Sequence, residues 1–113
     1  MADESVIDPK TLQRFEGIGG PPFVVKMIDL FRQNVTKRLA EVRSGHEEGN
    51  PTRIEDAVHS IRSSAGNFGA KVMFELASEI ESEVAGWDQQ TRSLKIEQLE
   101  GSGAGRAGSA GSS

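Results

Sequence analysis

The 113-residue sequence contains no cysteine and no tyrosine, and aromatic residues make up only 5% of it. Without cysteine, a disulfide framework, a thiolate-bound zinc ion and a thiol nucleophile are all excluded. No apolar run approaches the roughly 20 residues that span a bilayer, and the acidic N-terminus lacks the apolar core of a secretory signal. A net charge of −4 disfavours nucleic-acid binding, which needs clustered Lys and Arg. We expect a soluble, cytoplasmic, monomeric protein with no membrane or nucleic-acid partner.

The final 13 residues, 101–113, consist of Gly, Ser and Ala with a single Arg. Such a segment cannot bury enough apolar surface to offset the entropy lost on ordering. The sequence therefore predicts a folded domain over residues 1–100 and a flexible tail over residues 101–113. Without the tail, the domain carries 12 basic and 17 acidic residues, so its net charge is −5.

The N-terminal half of the domain predicts two helices separated by a break. Asp8 and Pro9 are typical of a helix start, because Asp caps free amides and Pro fits the first helical position. The short helix is expected to end near Glu16, before the Gly- and Pro-rich residues 17–22. Apolar residues then recur at three- and four-residue steps, which predicts a long amphipathic helix over residues 22–43.

The C-terminal half predicts three further helices after a polar loop over residues 44–51. Thr52 and Glu55 have the spacing of a capping box and open a helix that ends at Gly69. A fourth helix is expected to end near Gly86, and Asp88 is expected to cap a last helix after it. No alternating pattern indicates a strand. We predict an all-α fold: an antiparallel four-helix bundle with a short N-terminal helix.

The sequence contains two histidines, and they differ in context. His46 falls in the predicted polar loop, where a solvated side chain is the simplest interpretation. His59 lies in a helix whose apolar stripe is centred near Ile54 and Ala65. At about 100° per residue, His59 lies roughly 140° from Ile54, so we expect its imidazole to face away from the core.

The residues that follow His59 suggest a chemical role. Ser63 and Gly66 are small, so they leave the imidazole open to another protein. Gly costs about 1 kcal/mol relative to Ala inside a helix, so its presence here suggests a functional reason. Arg62 can attract a phosphoryl group through charge-assisted hydrogen bonds. Neutral imidazole is a nucleophile near pH 7. The simpler alternatives are an ordinary surface histidine and an arginine that is solvated or paired with Glu55 or with an acid of the next helix.

Residues 57–70, AVHSIRSSAGNFGA, resemble the signature of histidine-containing phosphotransfer (HPt) domains of two-component phosphorelays. That signature has a histidine, an aliphatic residue two positions on, a basic residue three on, small residues, and an aliphatic or aromatic residue before glycine. The resemblance covers roughly residues 5–86. Arg62 stands where Lys is usual, which keeps the charge, and Ser63 stands where Gly is usual.

The resemblance implies an antiparallel four-helix bundle that accepts a phosphoryl group from an aspartyl phosphate of one response-regulator receiver domain and passes it to another. The resemblance also implies a hybrid sensor kinase as a further partner. For this chain it implies His59 as phosphoacceptor, Arg62 and Ser63 as phosphoryl-stabilising residues and Gly66 as a source of clearance. Glu81 is expected near the site. The chain itself would bind no cofactor and act as a phosphocarrier without a complete catalytic site, since Mg²⁺ belongs to the receiver.

Two questions stay open at this level. Leu12, Phe15 and Ile18 are a candidate partner surface, but these apolar side chains fit core packing equally well. A bundle that binds a receiver without taking up phosphate is the alternative function. A metalloenzyme or hydrolase is disfavoured, because the sequence has no metal-binding histidine pair and no nucleophile-elbow motif; we expect no metal site.

Overall fold

The computed structural model describes residues 7–102, and its regular elements are all helices within that range. There are four α-helices: α1 Pro9–Glu48, α2 Pro51–Phe68, α3 Lys71–Glu83 and α4 Gln89–Gly101. A short 3₁₀ helix, Val84–Gly86, joins α3 to α4. The predicted tail from residue 103 onward lies outside the described residues, whereas Gly101 still belongs to α4. None of the helices in residues 7–102 combines the length and apolar character needed to cross a bilayer.

Helix α1 has a kink at the break that the sequence predicts over residues 17–22. Gly20 has φ 76° and ψ −174°, and Pro21 and Pro22 follow it directly. Positive φ is accessible to glycine at little cost because it has no Cβ. The chain therefore changes direction at one residue, and the N-terminal helix extends past the predicted end at Glu16.

The predicted end of the long helix at residue 43 is wrong, because α1 continues to Glu48. Gly49 terminates it with a left-handed φ of 67°, and its N–H reaches the carbonyls of Gly45 and His46. Gly45 does not break the helix. It is buried, and a Cβ there would lie 3.0 Å from Cγ1 of Ile54 on α2. His46 therefore lies in the last turn of a helix and not in a loop.

The predicted capping box at the start of α2 is also wrong. Asn50 is the N-cap, and its side chain accepts a hydrogen bond of 3.2 Å from the N–H of Arg53. Pro51 occupies the first helical position, where its fixed φ is already helical. Thr52 consequently lies inside the first turn of α2 and Glu55 just after it, so neither residue caps the helix.

Three other helix boundaries agree with the predictions from the sequence. Asp8 caps α1 with Pro9 behind it, Gly69 ends α2 with a φ of 69°, and Asp88 caps α4. The backbone N–H of Thr91, 2.8 Å from the Asp88 carboxylate, lowers the pKa of Asp88 below its ordinary value. This cap therefore stabilises α4 at neutral pH and is lost as the pH falls through that lowered pKa.

The core is built from all four helices, with α2 packed mainly between α1 and α3 and α4 packed against α3 and α1. Contacts between α1 and α2 run in opposite chain order: the ring of Phe31 lies 4.8 Å from that of Phe68, while Gly45 meets Ile54. The largest fully buried side chains are Phe31, Val35, Val42, Ile54, Val58, Ile61, Met73, Ile80, Val84, Ile96 and Leu99. Each stabilises the fold by about 1.5–3 kcal/mol on burial.

The turn between α2 and α3 is closed by the N-terminal end of α1. The Asp8 N–H donates a 3.1 Å hydrogen bond to the Gly69 carbonyl, and the ring of Phe15 lies 5.4 Å from Phe68. A Cβ on Gly69 would lie 2.5 Å from Cβ of Asp8 and 2.8 Å from Oγ1 of Thr11. Glycine at this position satisfies both the left-handed backbone and the close approach of α1.

We predict that Gly69→Ala destabilises the protein far more than Gly49→Ala. Both glycines have positive φ, but nothing lies within 4 Å of a Cβ on Gly49. Gly49→Ala should therefore cost only the strained backbone, about 1–2 kcal/mol. Gly69→Ala adds the clash with α1, for a total of about 3 kcal/mol or more. Urea unfolding of both variants measures the difference, and equal losses would show that α1 does not pack on this turn.

Candidate functional site

His59 lies on the outward side of α2, at the edge that faces α3. Its side chain is 57% exposed, because the buried stripe of the same helix occupies the opposite side. The Nδ1 atom lies 2.8 Å from Oε2 of Glu81 on α3. The imidazole is therefore open to solvent and also fixed in orientation by a carboxylate from the neighbouring helix.

The Glu81 carboxylate contacts two side chains of α2. Its Oε2 atom pairs with His59, while its Oε1 atom lies 3.1 Å from Nε of Arg62. The second contact is an ion pair without hydrogen-bond alignment, since Oε1 is buried and has no hydrogen-bond partner among residues 7–102. We call these three residues the His59–Arg62–Glu81 cluster. The predicted alternative for Arg62, an ion pair with an acid of the next helix, is what the structure contains.

The contact with Glu81 favours one of the two neutral forms of the imidazole. An ionised carboxylate only accepts hydrogen bonds, so it favours the tautomer with hydrogen on the Nδ1 atom that faces Glu81. In the neutral ring, the Nε2 atom of His59 then holds the free lone pair. This arrangement presents a nucleophilic nitrogen in a ring that is more than half exposed, beside the guanidinium of Arg62.

The side chains of the two serines after Arg62 lie on different sides of α2. Ser63, one turn beyond His59, is exposed on the outer face of α2. The Ser64 hydroxyl accepts a 2.6 Å hydrogen bond from Nδ2 of Asn34 and so faces α1. Of the two, Ser63 is the hydroxyl on the side of the molecule where His59 lies.

Gly66 lies two turns beyond His59, about 10.5 Å along the helix. It does not border the imidazole, so the space left by its missing side chain is open only to a partner that extends along α2. A Cβ on Gly66 would be 3.4 Å from Cε1 of Phe74 on α3, which is ordinary van der Waals contact. Phe74 was not singled out by the sequence pattern, although it lies about 100° from the buried Met73 on α3.

The three residues of the candidate partner surface have different environments. Phe15 is 6% exposed and packs on Phe23 and Phe68, so it belongs to the interior. Leu12 is half-buried against the core, and only Ile18, at 67%, is well exposed. Phe15 is therefore a core residue, as the core-packing alternative predicts. Of the three residues, only Ile18 has a largely exposed apolar side chain.

Acidic side chains do not form a metal-binding group in the part of the chain that the structure describes. No three His, Asp or Glu residues within 7–102 lie close enough together to hold a metal ion. Glu79, one of the acids of α3, instead pairs with Lys95 of α4 at 2.9 Å. Glu81 and Glu79 thus lie on two different faces of α3, with Glu81 toward α2 and Glu79 toward α4.

Comparison with known proteins gives one match. The family model of the Hpt domain matches residues 26–102, which is more than half of the chain and includes His59, Arg62 and Glu81. No curated protein and no solved structure matches the chain. Hpt domains serve phosphotransfer signalling and interact with response-regulator receivers. With its all-helical fold and its matched segment, this chain belongs to the Hpt domain family.

Proposed function

We propose that the chain is a cytoplasmic, monomeric phosphocarrier in which His59 accepts a phosphoryl group from the aspartyl phosphate of a receiver domain and passes it to the aspartate of another. The observation that supports this most strongly is the exposed imidazole whose Nδ1 atom is bonded to Glu81. The reversed contact order of α1 and α2 supports the antiparallel bundle that the family resemblance implies.

The transfer makes and breaks one bond to phosphorus. The lone pair on Nε2 of His59 attacks the phosphorus atom, and the bond from phosphorus to the aspartyl oxygen breaks, returning a free carboxylate to the receiver. The ring keeps its hydrogen on Nδ1 and gains positive charge as the new N–P bond forms. Glu81 faces that hydrogen at 2.8 Å and stabilises the developing charge. The onward step is the reverse, with the aspartate of the second receiver as nucleophile.

Arg62 and Ser63 have supporting roles in this proposal. The Arg62 side chain is 39% exposed and uses Nε toward Glu81, while its guanidinium has further N–H groups that can bind phosphoryl oxygens. The exposed Ser63 hydroxyl can donate one more hydrogen bond. Mg²⁺ would be held by the receiver and would offset charge on the phosphoryl group there.

We predict that the protein takes up phosphate from a phosphorylated receiver and that His59→Gln abolishes this uptake. The bond formed should be acid-labile and base-stable, as expected for phosphate on an imidazole nitrogen. His46→Gln is the matched control, because His46 is the only other histidine and lies at the end of α1. A panel of radiolabelled receiver domains from the source organism serves as donors.

Two outcomes of that experiment would contradict the proposal. Labelling that persists in His59→Gln would place the phosphate on another residue. Stable binding of a receiver to the wild-type protein without any phosphate uptake would favour the alternative function, a helical module that holds receivers without phosphoryl transfer.

We also predict that Glu81 sets the tautomer of His59. In the wild-type protein the neutral ring should carry its hydrogen on Nδ1, and Glu81→Ala should increase the population with hydrogen on Nε2. Long-range ¹H–¹⁵N NMR spectra of the imidazole measure the two forms. Glu79→Ala is the control on the same helix, because Glu79 faces Lys95. Unchanged imidazole nitrogen shifts in Glu81→Ala would mean that the carboxylate does not orient the ring.

A further inference from the structure

Two buried oxygen atoms on α3 have no hydrogen-bond partner in the described part of the chain. One is Oε1 of Glu81, and the other is Oγ of Ser78, three residues earlier on the same helix. Both residues are half-buried, yet these two atoms are shielded from solvent. A carboxylate oxygen accepts hydrogen bonds and a hydroxyl can donate one, so the two atoms are complementary.

Ser78 lies on the edge of α3 that faces α2. Phe74, four residues before it, has its ring beside Gly66 of α2. Glu81, three residues after it, contacts His59. Residues three and four apart are neighbours on a helix surface, with Cβ atoms about 5–6 Å apart. Because helical side chains tilt toward the N-terminus, the Glu81 side chain leans toward Ser78, and side-chain rotation alone brings the two oxygen atoms together.

The Oε1 atom of Glu81 loses its positive neighbour when the site holds a phosphoryl group. In this structure Nε of Arg62 lies 3.1 Å from Oε1. The proposed function requires the same guanidinium to bind phosphoryl oxygens on His59, which turns it away from the carboxylate. Because Oε1 is buried, water does not take the place of Arg62, and an unpaired buried carboxylate oxygen is costly. A donor from the protein is therefore needed at this oxygen.

We infer that the Ser78 hydroxyl is this donor, and that it holds Glu81 in position while His59 is phosphorylated. Before transfer, Oε1 faces Arg62. After transfer, Arg62 binds the phosphoryl oxygens, the Ser78 hydroxyl donates to Oε1, and Oε2 stays on the Nδ1 hydrogen of His59. No proton changes its atom in this exchange of partners. The inference rests on the proposed function and makes Ser78 a positioning residue, which acts on the imidazole through Glu81.

The test follows the Nδ1 hydrogen of His59 before and after phosphorylation. Phosphoramidate, a small phosphoryl donor to imidazole, loads the protein without any receiver domain, and ¹H–¹⁵N NMR measures exchange of this hydrogen with water. In Ser78→Ala the exchange rate should equal that of the wild-type protein before phosphorylation, because Arg62 still faces Oε1. After phosphorylation it should exceed the wild-type rate about tenfold, because Glu81 has lost its last donor.

Ser82→Ala is the matched control on the same helix. The Ser82 hydroxyl is exposed and donates a 2.9 Å hydrogen bond to the Ser78 carbonyl, so it does not serve Oε1. This variant should match the wild-type protein in both states. Ser78→Thr keeps the hydroxyl and should restore the wild-type exchange rate in the phosphorylated protein. Together the two variants separate the role of the hydroxyl from a general loosening of α3.

Arginine variants test the exchange of partners without any phosphate. Arg62→Ala removes the positive neighbour of Oε1, so Ser78 should donate to this oxygen already in the unphosphorylated protein. The Nδ1 hydrogen of His59 should therefore exchange at close to the wild-type rate in Arg62→Ala, and about tenfold faster when Ser78→Ala is added. Equal rates in the single and double variants would overturn the inference.

The outcomes also separate the inference from the proposed function. A wild-type exchange rate in phosphorylated Ser78→Ala, a rise already present before phosphorylation, or an equal rise in Ser82→Ala would overturn the role of Ser78 and leave the phosphocarrier proposal in place. Failure of phosphoramidate to label His59 in the wild-type protein would overturn the phosphocarrier proposal, and the exchange of partners with it.

Discussion

The contacts of the Glu81 carboxylate join α2 to α3 beside the exposed imidazole of His59. One carboxylate oxygen lies 2.8 Å from the imidazole of His59, and the other lies 3.1 Å from the guanidinium of Arg62. In the proposed function, the first contact holds the ring in one tautomer and the second keeps the charge of Arg62 beside it. Without this carboxylate, α2 would present a freely rotating histidine whose reactive nitrogen is not specified.

This arrangement depends on the register between α2 and α3, which is set by the turn between them. Gly69 ends α2 in a left-handed conformation, and α1 closes over that turn through Asp8 and Thr11. The buried residues of α2 and α3 then fix the distance between the two helices. A shift of α3 by one residue would rotate Glu81 by about 100° and remove it from His59. The geometry of the His59–Arg62–Glu81 cluster is therefore determined by packing at the end of the bundle.

Local sequence patterns predicted much of this structure because they act over a few residues. The outward position of His59 follows from the spacing of Ile54 and Ala65 around one helix. The caps at Asp8 and Asp88 follow from single side chains that bond nearby amides. The proximity of Glu81 was expected only from the resemblance to a known family, since no local rule gives the register of two helices.

The errors arose where contacts distant in sequence outweigh local preference. The polar residues 44–51 predicted a loop, but the missing side chain of Gly45 lets α1 approach Ile54, so the helix continues to Glu48. Asn50 and Thr52 are both good caps, and Pro51 decides in favour of the first. The position of Phe74 beside Gly66 likewise depends on how α3 packs against α2, which no local pattern gives.

The position of the phosphoryl group on the imidazole tests the account most directly. Uniformly ¹⁵N-labelled protein, phosphorylated by a receiver domain, can be examined for coupling between phosphorus and the ring nitrogens of its histidines. The account predicts a single phosphorylated histidine, His59, with phosphorus on Nε2 and the hydrogen retained on Nδ1 opposite Glu81. Phosphorus on Nδ1 of His59, or on any other side chain, would contradict it.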